Sequence, residues 1–314
     1  MKIRLVNVET DLPVIVNNYS AHERNKNILA EEVRSFLEKS ASGRITQMFV
    51  AVDENNAIQG HVEISHEIWN TPGQFIIFIL VVPTSRDQKI GSALWDASTD
   101  FLQGHTVTRL ISSVWDDEPA SLAFAQQRDF SIERHVFTSH LDVDMFDEAS
   151  FLPAIAQAED AGIHFGSLAD FPDTPATNQK YCELSAAIDR DMPGMDWDFT
   201  NYADFFQQHV LGSPWYRREG QLLAIDGDTW VGYASVYFDP ASGRARNATT
   251  GVIRSYRGRK IAQALKVQAV RYARRLRARQ MDTLNDSLNV HILAINQKMG
   301  YQSEPGKYKL IRKM

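Results

Sequence analysis

Apolar and polar residues alternate along this chain in short runs, and the runs return in the same order. Lys2 to Val8 alternates and predicts a strand. Val33, Phe36 and Leu37 fall at helical spacing within Glu31 to Glu38. Ile45 to Val52 and Ala57 to Ile64 flank the turn-forming residues 53–56 and predict a hairpin. Phe75 to Val82 is the longest apolar run and the strand expected to be most deeply buried. Gln88 to Gln103 reads as a helix ending at Gly104, Val107 to Trp115 as a strand, Pro119 to Arg128 as a short helix and Ser131 to Val143 as closing strands. An acidic, alanine-rich stretch from Phe146 to Gly162 is the expected linker. The order then starts again, with a strand over Ile163 to Leu168, a helix over Ala176 to Ile188 and a hairpin from Gln221 to Phe238. A strand over Ala245 to Ile253 and a long helix over Arg259 to Arg279 follow. Gln280 to Asn285, Val290 to Met299 and Tyr308 to Ile311 complete the second round.

The recurrence extends to individual residues. Arg86 to Leu94 (RDQKIGSAL) returns as Arg257 to Leu265 (RGRKIAQAL), 171 positions later, and Phe130 and Tyr301 stand at the same offset. A period this long excludes a solenoid and predicts two copies of one domain.

The repeated segment runs from a strand through a short loop into a helix with a small residue in its first turn. The first N–H groups of a helix lack intrahelical partners and sit at the positive end of its dipole, so such a segment suits a phosphate or pyrophosphate. Gly91 and Ala262 stand where a large side chain would block approach, and Arg254, Arg257, Arg259 and Lys260 add charge in the second copy. An ordinary strand–loop–helix with a basic first turn is the bland alternative for one copy. Two copies in register favour the anion site.

On these residues the chain resembles a tandem member of the GCN5-related N-acetyltransferases, whose [RQ]-x-x-G-x-[GA] loop cradles the pyrophosphate of coenzyme A. Arg86 and Gly91, and Arg257 and Ala262, match that motif, while Lys89 and Lys260 replace its central glycine. The asparagines and closing Gly300-Tyr301 of residues 283–301 resemble the family's last helix; residues 121–130 are a worn counterpart, with Asp129 for the glycine. The resemblance implies an α/β fold with a mixed, mainly antiparallel sheet in two tandem domains, over 1–147, partly degenerate, and 160–314, the acetyl-CoA-binding catalytic unit. It implies acetyl-CoA as cosubstrate, held in the second unit by Gly251, Val252, Ile253, Arg257, Gly258, Arg259, Lys260, Ile261, Ala262, Asn289 and Asn296. In the first unit it implies Val81, Val82, Arg86, Gln88, Lys89, Gly91 and Ser92. Val252 is the expected backbone oxyanion donor.

The family's usual thiolate acid, a tyrosine four residues before the closing glycine, is replaced by Ala125 and Asn296, so Asn296 is expected to position pantetheine or the sulfur. No general base is identifiable. Glu63 is one candidate, against the reading of a solvent-facing strand glutamate. Asp189, Asp191, Asp196, Trp197 and Asp198 crowd one loop and would suit a cationic amine, or only shape a turn at Pro193-Gly194.

Composition narrows the rest. A single cysteine excludes an internal disulfide and a zinc-type Cys/His cluster, so no metal is expected. The net charge of −6 disfavours a nucleic-acid partner, and the longest apolar run is too short for a membrane span. The run Arg271, Arg274, Arg275, Arg277 and Arg279 is expected to be a solvated helix face. The expectation is a cytoplasmic N-acetyltransferase acting by direct attack of a small-molecule or peptide amine on the thioester, with a homodimer allowed. A non-catalytic acyl-CoA sensor or interaction module is the alternative. A tandem aminoacyl transferase of the peptidoglycan-building type is disfavoured by the retained phosphate loop and the acidic charge.

Overall fold

The computed structural model describes residues 1–24, 30, 33–34, 44–67, 70–194 and 199–314. These form two compact units, one of Met1–Val114, Ala120–Glu133 and Lys309–Met314, the other of Trp115–Pro119 and Arg134–Tyr308.

In unit 1 the elements run β1 (Lys2–Leu5), α1 (Val8–His22), β2 (Ile45–Val52), β3 (Ile58–His66), β4 (Gln74–Val81), α2 (Ile90–Leu102), β5 (Arg109–Trp115) and α3 (Pro119–Gln126). The sheet order is β1-β2-β3-β4-β5, antiparallel except for the β4–β5 pair. Strand β4 buries Phe75, Ile77 and Leu80 but leaves Ile76, Phe78 and Ile79 half-buried, less than its unbroken apolar run suggested.

No residues were assigned to helix α1 from the sequence, because Pro13 and the β-branched Val14, Ile15 and Val16 weaken the helical signal. Local contacts make it. The Asn7 side chain accepts from the Glu9 N–H at 3.1 Å, and Asp11 accepts from Arg4 at 2.6 Å and from the Asn7 N–H at 2.8 Å. Leu12 and Ile15 are buried beneath it. Most of the helix expected over Glu31 to Glu38 lies outside the described residues.

Unit 2 contains β6 (Ser131–Asp142) from Arg134 onward, then α4 (Leu152–Asp160), β7 (Ile163–Ser167), α5 (Pro175–Arg190), α6 (Tyr202–Phe205), β8 (Gln221–Asp226) and β9 (Thr229–Asp239). There follow β10 (Arg244–Val252), α7 (Ile261–Arg275), β11 (Gln280–Asp286), α8 (Val290–Met299), β12 (Gln302–Ser303) and the first two residues of β13 (Lys307–Lys313). Its sheet order is β6-β11-β10-β9-β8-β7.

The compact units divide the chain differently from the expected 1–147 and 160–314. Residues 134–147 belong to unit 2, while the last six residues, carrying most of β13, belong to unit 1. An edge strand needs a partner, and alternation alone does not say which edge a terminal strand will join. The expected linker is also structure. Phe146, Phe151, Ile155 and Ala158 are core residues of unit 2, and α4 supplies two of them. Nor is the arginine run simply solvated: Arg271 and Arg274 both bond to Glu148, and Arg274 also donates to the Val143 and Phe146 carbonyls.

Two apolar clusters lie on opposite faces of the unit 2 sheet. Helix α7 presents Ile261, Ala264, Leu265, Val267, Ala269 and Val270 to one, together with Val252 of β10. Helix α5 presents Tyr181, Leu184 and Ile188 to the other, together with Tyr233 of β9.

The constraint that shapes the sheet is in β10. Its ladder with β9 slips at Asn247/Thr249, a bulge with one extra residue. The buried Asn247 amide donates to the Ser235 and Thr249 carbonyls, and its oxygen accepts from Lys266 Nζ at 2.7 Å and Thr250 Oγ1 at 3.0 Å. Lys266 is itself 1% exposed, an apolar-face helix position filled by an amine.

Burial pushes the Lys266 amine down to about 7 from its ordinary value of 10.5. The unfolded chain therefore holds one more proton between those values, and stability rises with pH across that window. The whole span is worth roughly 5 kcal/mol. Lys266→Met should raise the melting temperature at pH 7 relative to the parent, with the gain shrinking as pH approaches about 10. Melts of both proteins across this range check it; a pH-independent difference, or a variant less stable at pH 7, contradicts it.

Candidate active site

Strands β10 and β11 pair in parallel only over Arg244–Arg246 and Gln280–Asp282, although β10 continues to Val252 and β11 to Asp286. Where the ladder ends, the Thr283 hydroxyl takes the Asn247 carbonyl at 3.0 Å. Beyond it the strands part. The Ile253 N–H donates to the Val231 carbonyl of β9 at 2.9 Å. Backbone groups alternate sides along an antiparallel strand, so Val252 directs its N–H and carbonyl away from β9, into the gap. Arg257 Nε takes that carbonyl at 3.0 Å, and the N–H faces the opening.

The loop after β10 brings the helix start to the same place. The first helical bond of α7 is from the Ala264 N–H to the Lys260 carbonyl, at 3.1 Å, which leaves the N–H groups of residues 261–263 free of intrahelical partners. Lys260 has φ 63° and ψ 1°, the left-handed conformation that glycine adopts without steric cost. The lysine thus keeps the backbone shape of the glycine it replaces. Lys89 does the same in unit 1, with φ 62° and ψ 10°.

A cavity of about 620 Å³ joins these parts. Thr250, Gly251 and Val252 line it from β10, Arg257, Gly258 and Lys260 to Ala262 from the loop and α7, and Asn289 and Ile295 from the last helical segment. Asn289 also caps α8 by accepting from the Ile292 N–H. Ile188, Asp191 and Met192, at the end of α5, close the far wall. Gly251 is obligatory, since an added Cβ would lie 2.1 Å from Ile188 Cγ2.

Asp191 bridges Arg254 at 2.8 Å and Arg257 at 2.9 Å, and the two guanidiniums hold its carboxyl below the usual carboxylate range. A carboxylate thus sits against the loop's cations, a contact the sequence did not reveal.

Ile253, Arg259 and Asn296 are not among the cavity-lining residues. Asn296 is 3% exposed and donates to Asn285 Oδ1 at 2.6 Å, so its amide is engaged with β11. Asp196, Trp197 and Asp198 lie outside the described residues.

Unit 1 repeats the scaffold. β4 pairs with β5 only over Gln74–Ile76 and continues to Val81, and the Val82 N–H bonds back to the Gln59 carbonyl, so Val81 matches Val252. Asp87 and Lys89 are left-handed where Gly258 and Lys260 are. The helix start differs. A Cβ on Gly91 would sit 3.1 Å from the Phe124 ring, where the repeat places Ile295 in unit 2. The Arg128 guanidinium stacks on that ring at 3.5 Å and donates to Ser92 Oγ at 2.9 Å. Arg86, Gln88, Lys89, Gly91 and Ser92 are thus gathered around a helix start packed by an aromatic ring. Glu63 is not solvent-facing: it is half-buried, accepts from Tyr19, and burial raises its pKa.

The sequence profile of the acetyltransferase (GNAT) family matches residues 17–130 and again residues 186–301. The chain belongs to the GNAT acetyltransferase family. Solved structures share the tandem GNAT fold across 99% of the chain. One is a GCN5-related N-acetyltransferase from Sphaerobacter thermophilus, with 18% identity, a TM-score of 0.68 and 95% of that chain covered. Another is a tandem GNAT protein from the clavulanic acid biosynthesis pathway, with 17% identity, a TM-score of 0.70 and 98% covered. A third is a GCN5-related glucosamine N-acetyltransferase region of a fungal multi-domain GH3 β-N-acetylglucosaminidase, with 14% identity and a TM-score of 0.74, where this chain spans 38% of the partner's length. At these identities the likeness is one of fold. No curated protein sequence matches the chain.

The left-handed lysines of this GNAT chain carry a cost of about 1 kcal/mol each. Lys260→Gly should therefore be more stable than Lys260→Ala, which removes the same charge and keeps the strained backbone. Denaturant melts measure this, and a less stable glycine variant contradicts it.

Proposed function

We propose that this protein is an acetyl-CoA-dependent N-acetyltransferase and that unit 2 holds the cosubstrate. One observation carries the reading: the parted ladder of β10, the free N–H groups of α7 and the cations of its loop all border one cavity. A diphosphate fits the helix start, and an extended pantetheine chain fits the gap, where it can take the backbone groups that β11 leaves unpaired. The thioester carbonyl then meets the Val252 N–H, which is fixed by the ladder on its other side and needs no reorganisation as negative charge develops. Asn289 lines the same cavity. Asn296 acts indirectly, by bonding Asn285 and so fixing α8 against β11.

Acceptor amines of a small molecule or peptide enter from the α5 side, where Ile188 and Met192 give an apolar wall. Unit 1 keeps the loop conformation but packs Phe124 against Gly91, which supports a structural role for its copy of the site.

Ala262→Trp should abolish acetyl-CoA binding in calorimetry, while Gly91→Ala leaves it within about twofold. The reverse ranking would assign the site to unit 1. Asp191→Asn removes a carboxylate that competes for Arg254 and Arg257. It should tighten acetyl-CoA binding several-fold, most at low salt; unchanged or weaker binding would show that Asp191 does not compete with the diphosphate.

A further inference from the structure

A chain of buried hydroxyls lies behind the cleft residues Gly251 and Ile188 and ends at a buried carboxylate in unit 2. Asp189 Oδ2 accepts from Tyr202 Oη at 2.6 Å. Ser185 Oγ lies 2.7 Å from Tyr202 Oη and 3.0 Å from Tyr233 Oη. Asp189, Tyr202, Ser185 and Tyr233 are each at most 8% exposed. Asp189 Oδ1 is buried with no hydrogen-bond partner among the described residues.

The donors in this chain have one consistent order. Tyr202 has a single hydroxyl proton and gives it to Asp189. Ser185 therefore donates to Tyr202, and Tyr233 donates to Ser185. The Tyr233 oxygen is left with acceptor capacity. Tyr233 stands directly opposite Gly251 in the β9–β10 ladder, so both face the α5 side of the sheet, and Gly251 lines the cavity. Ile188, which touches Gly251, is the residue before Asp189.

We infer that Tyr233, Ser185 and Tyr202 form a proton relay that carries a proton from the acceptor ammonium in the cleft to the Asp189 carboxylate. The inference rests on the transferase reading above. An amine must lose a proton before its lone pair can attack. When Tyr233 Oη takes that proton, its own passes to Ser185, that of Ser185 to Tyr202, and that of Tyr202 to Asp189. The nitrogen then forms its bond to the acetyl carbon, the carbon–sulfur bond breaks, and the thiolate receives the second nitrogen proton.

The electrostatics suit the role. Burial raises the Asp189 carboxyl to about 6, so it is ionised at neutral pH yet a stronger base than an exposed aspartate. The titratable groups facing it are Tyr202 on α6 and Tyr233 on β9, both pushed above the usual phenol range by burial and by Asp189. Of its neighbours in sequence, Asp191 is held by Arg254 and Arg257. The family comparison pointed to none of these hydroxyls, and the sequence showed Asp189 only as one carboxylate in a crowded loop.

The test uses the full chain with acetyl-CoA and a panel of primary amines, reading thiol release against pH, alongside carboxyl titration by carbon NMR. The relay predicts a carboxyl titrating near pH 6, absent in Asp189→Asn. It predicts an acidic limb in kcat/KM at the same pH, and a fall in kcat of about 100-fold in both Asp189→Asn and the shape-conserving Tyr233→Phe. The KM for acetyl-CoA should stay within about twofold, which a merely structural defect in the core would not respect. Activity that survives in Asp189→Asn with the acidic limb unchanged, or an Asp189 that titrates below about pH 4 as an ordinary aspartate does, overturns the relay alone. Parent protein that binds acetyl-CoA but releases no thiol with any amine overturns the transferase reading and the relay's role with it.

Discussion

Everything at the site depends on where β10 stops pairing with β11. A parallel ladder that continued to Val252 would consume the backbone groups the cleft needs. Asn247 prevents this. Its side chain closes the bulge with two donated bonds, and its own carbonyl is capped by Thr283 from the departing strand. Lys266 fixes the amide from below, at the cost of a desolvated amine in an otherwise apolar helix face. Such a group is expensive unless bonded, and it is retained where it sets the geometry of a backbone that must stay unpaired. The arrangement stores no adaptability in the strand itself: Ile253 beside Val252 bonds to β9, and Arg257 takes the Val252 carbonyl.

The two units show what a fold can keep while its surface chemistry diverges. Both part their parallel strands after three paired residues, and both force a lysine into the left-handed region at the helix start. The difference is one ring. Phe124 reaches Gly91 in unit 1, and Arg128 covers the ring and takes Ser92. In unit 2 the corresponding Ile295 lines open space. The face beside α1 in unit 1 holds Tyr19, His61 and Glu63, and the face beside α5 in unit 2 holds Tyr202, Tyr233 and Asp189, so each unit buries titratable groups on the same side of its sheet by different residues.

The loop proposed to hold the phosphates was picked out in the sequence because its requirements are local: a small residue at 91 or 262, a basic turn, and a strand before it. Most strands followed from alternation for the same reason. What escaped reading depends on contacts far along the chain. The assignment of residues 134–147 to unit 2 and of the last six residues to unit 1 had no local signal. Helix α1 was hidden by Pro13 and its β-branched neighbours, although Asn7 and Asp11 hold it. Asn296 was assigned to the cofactor by its position in a motif, and its bond to Asn285 was not visible there. The hydroxyl chain to Asp189 gathers residues from α5, α6 and β9 that have no common spacing, and no sequence pattern announces it.

The central claim is that the parted strands of unit 2 are where acetyl-CoA binds. A crystal structure of the protein grown with acetyl-CoA tests it most directly. The account predicts the diphosphate at the N-terminus of α7, pantetheine between β10 and β11, and the thioester oxygen at hydrogen-bonding distance from the Val252 N–H. Acetyl-CoA seated in unit 1 instead, or bound in unit 2 outside the gap between β10 and β11, would contradict it.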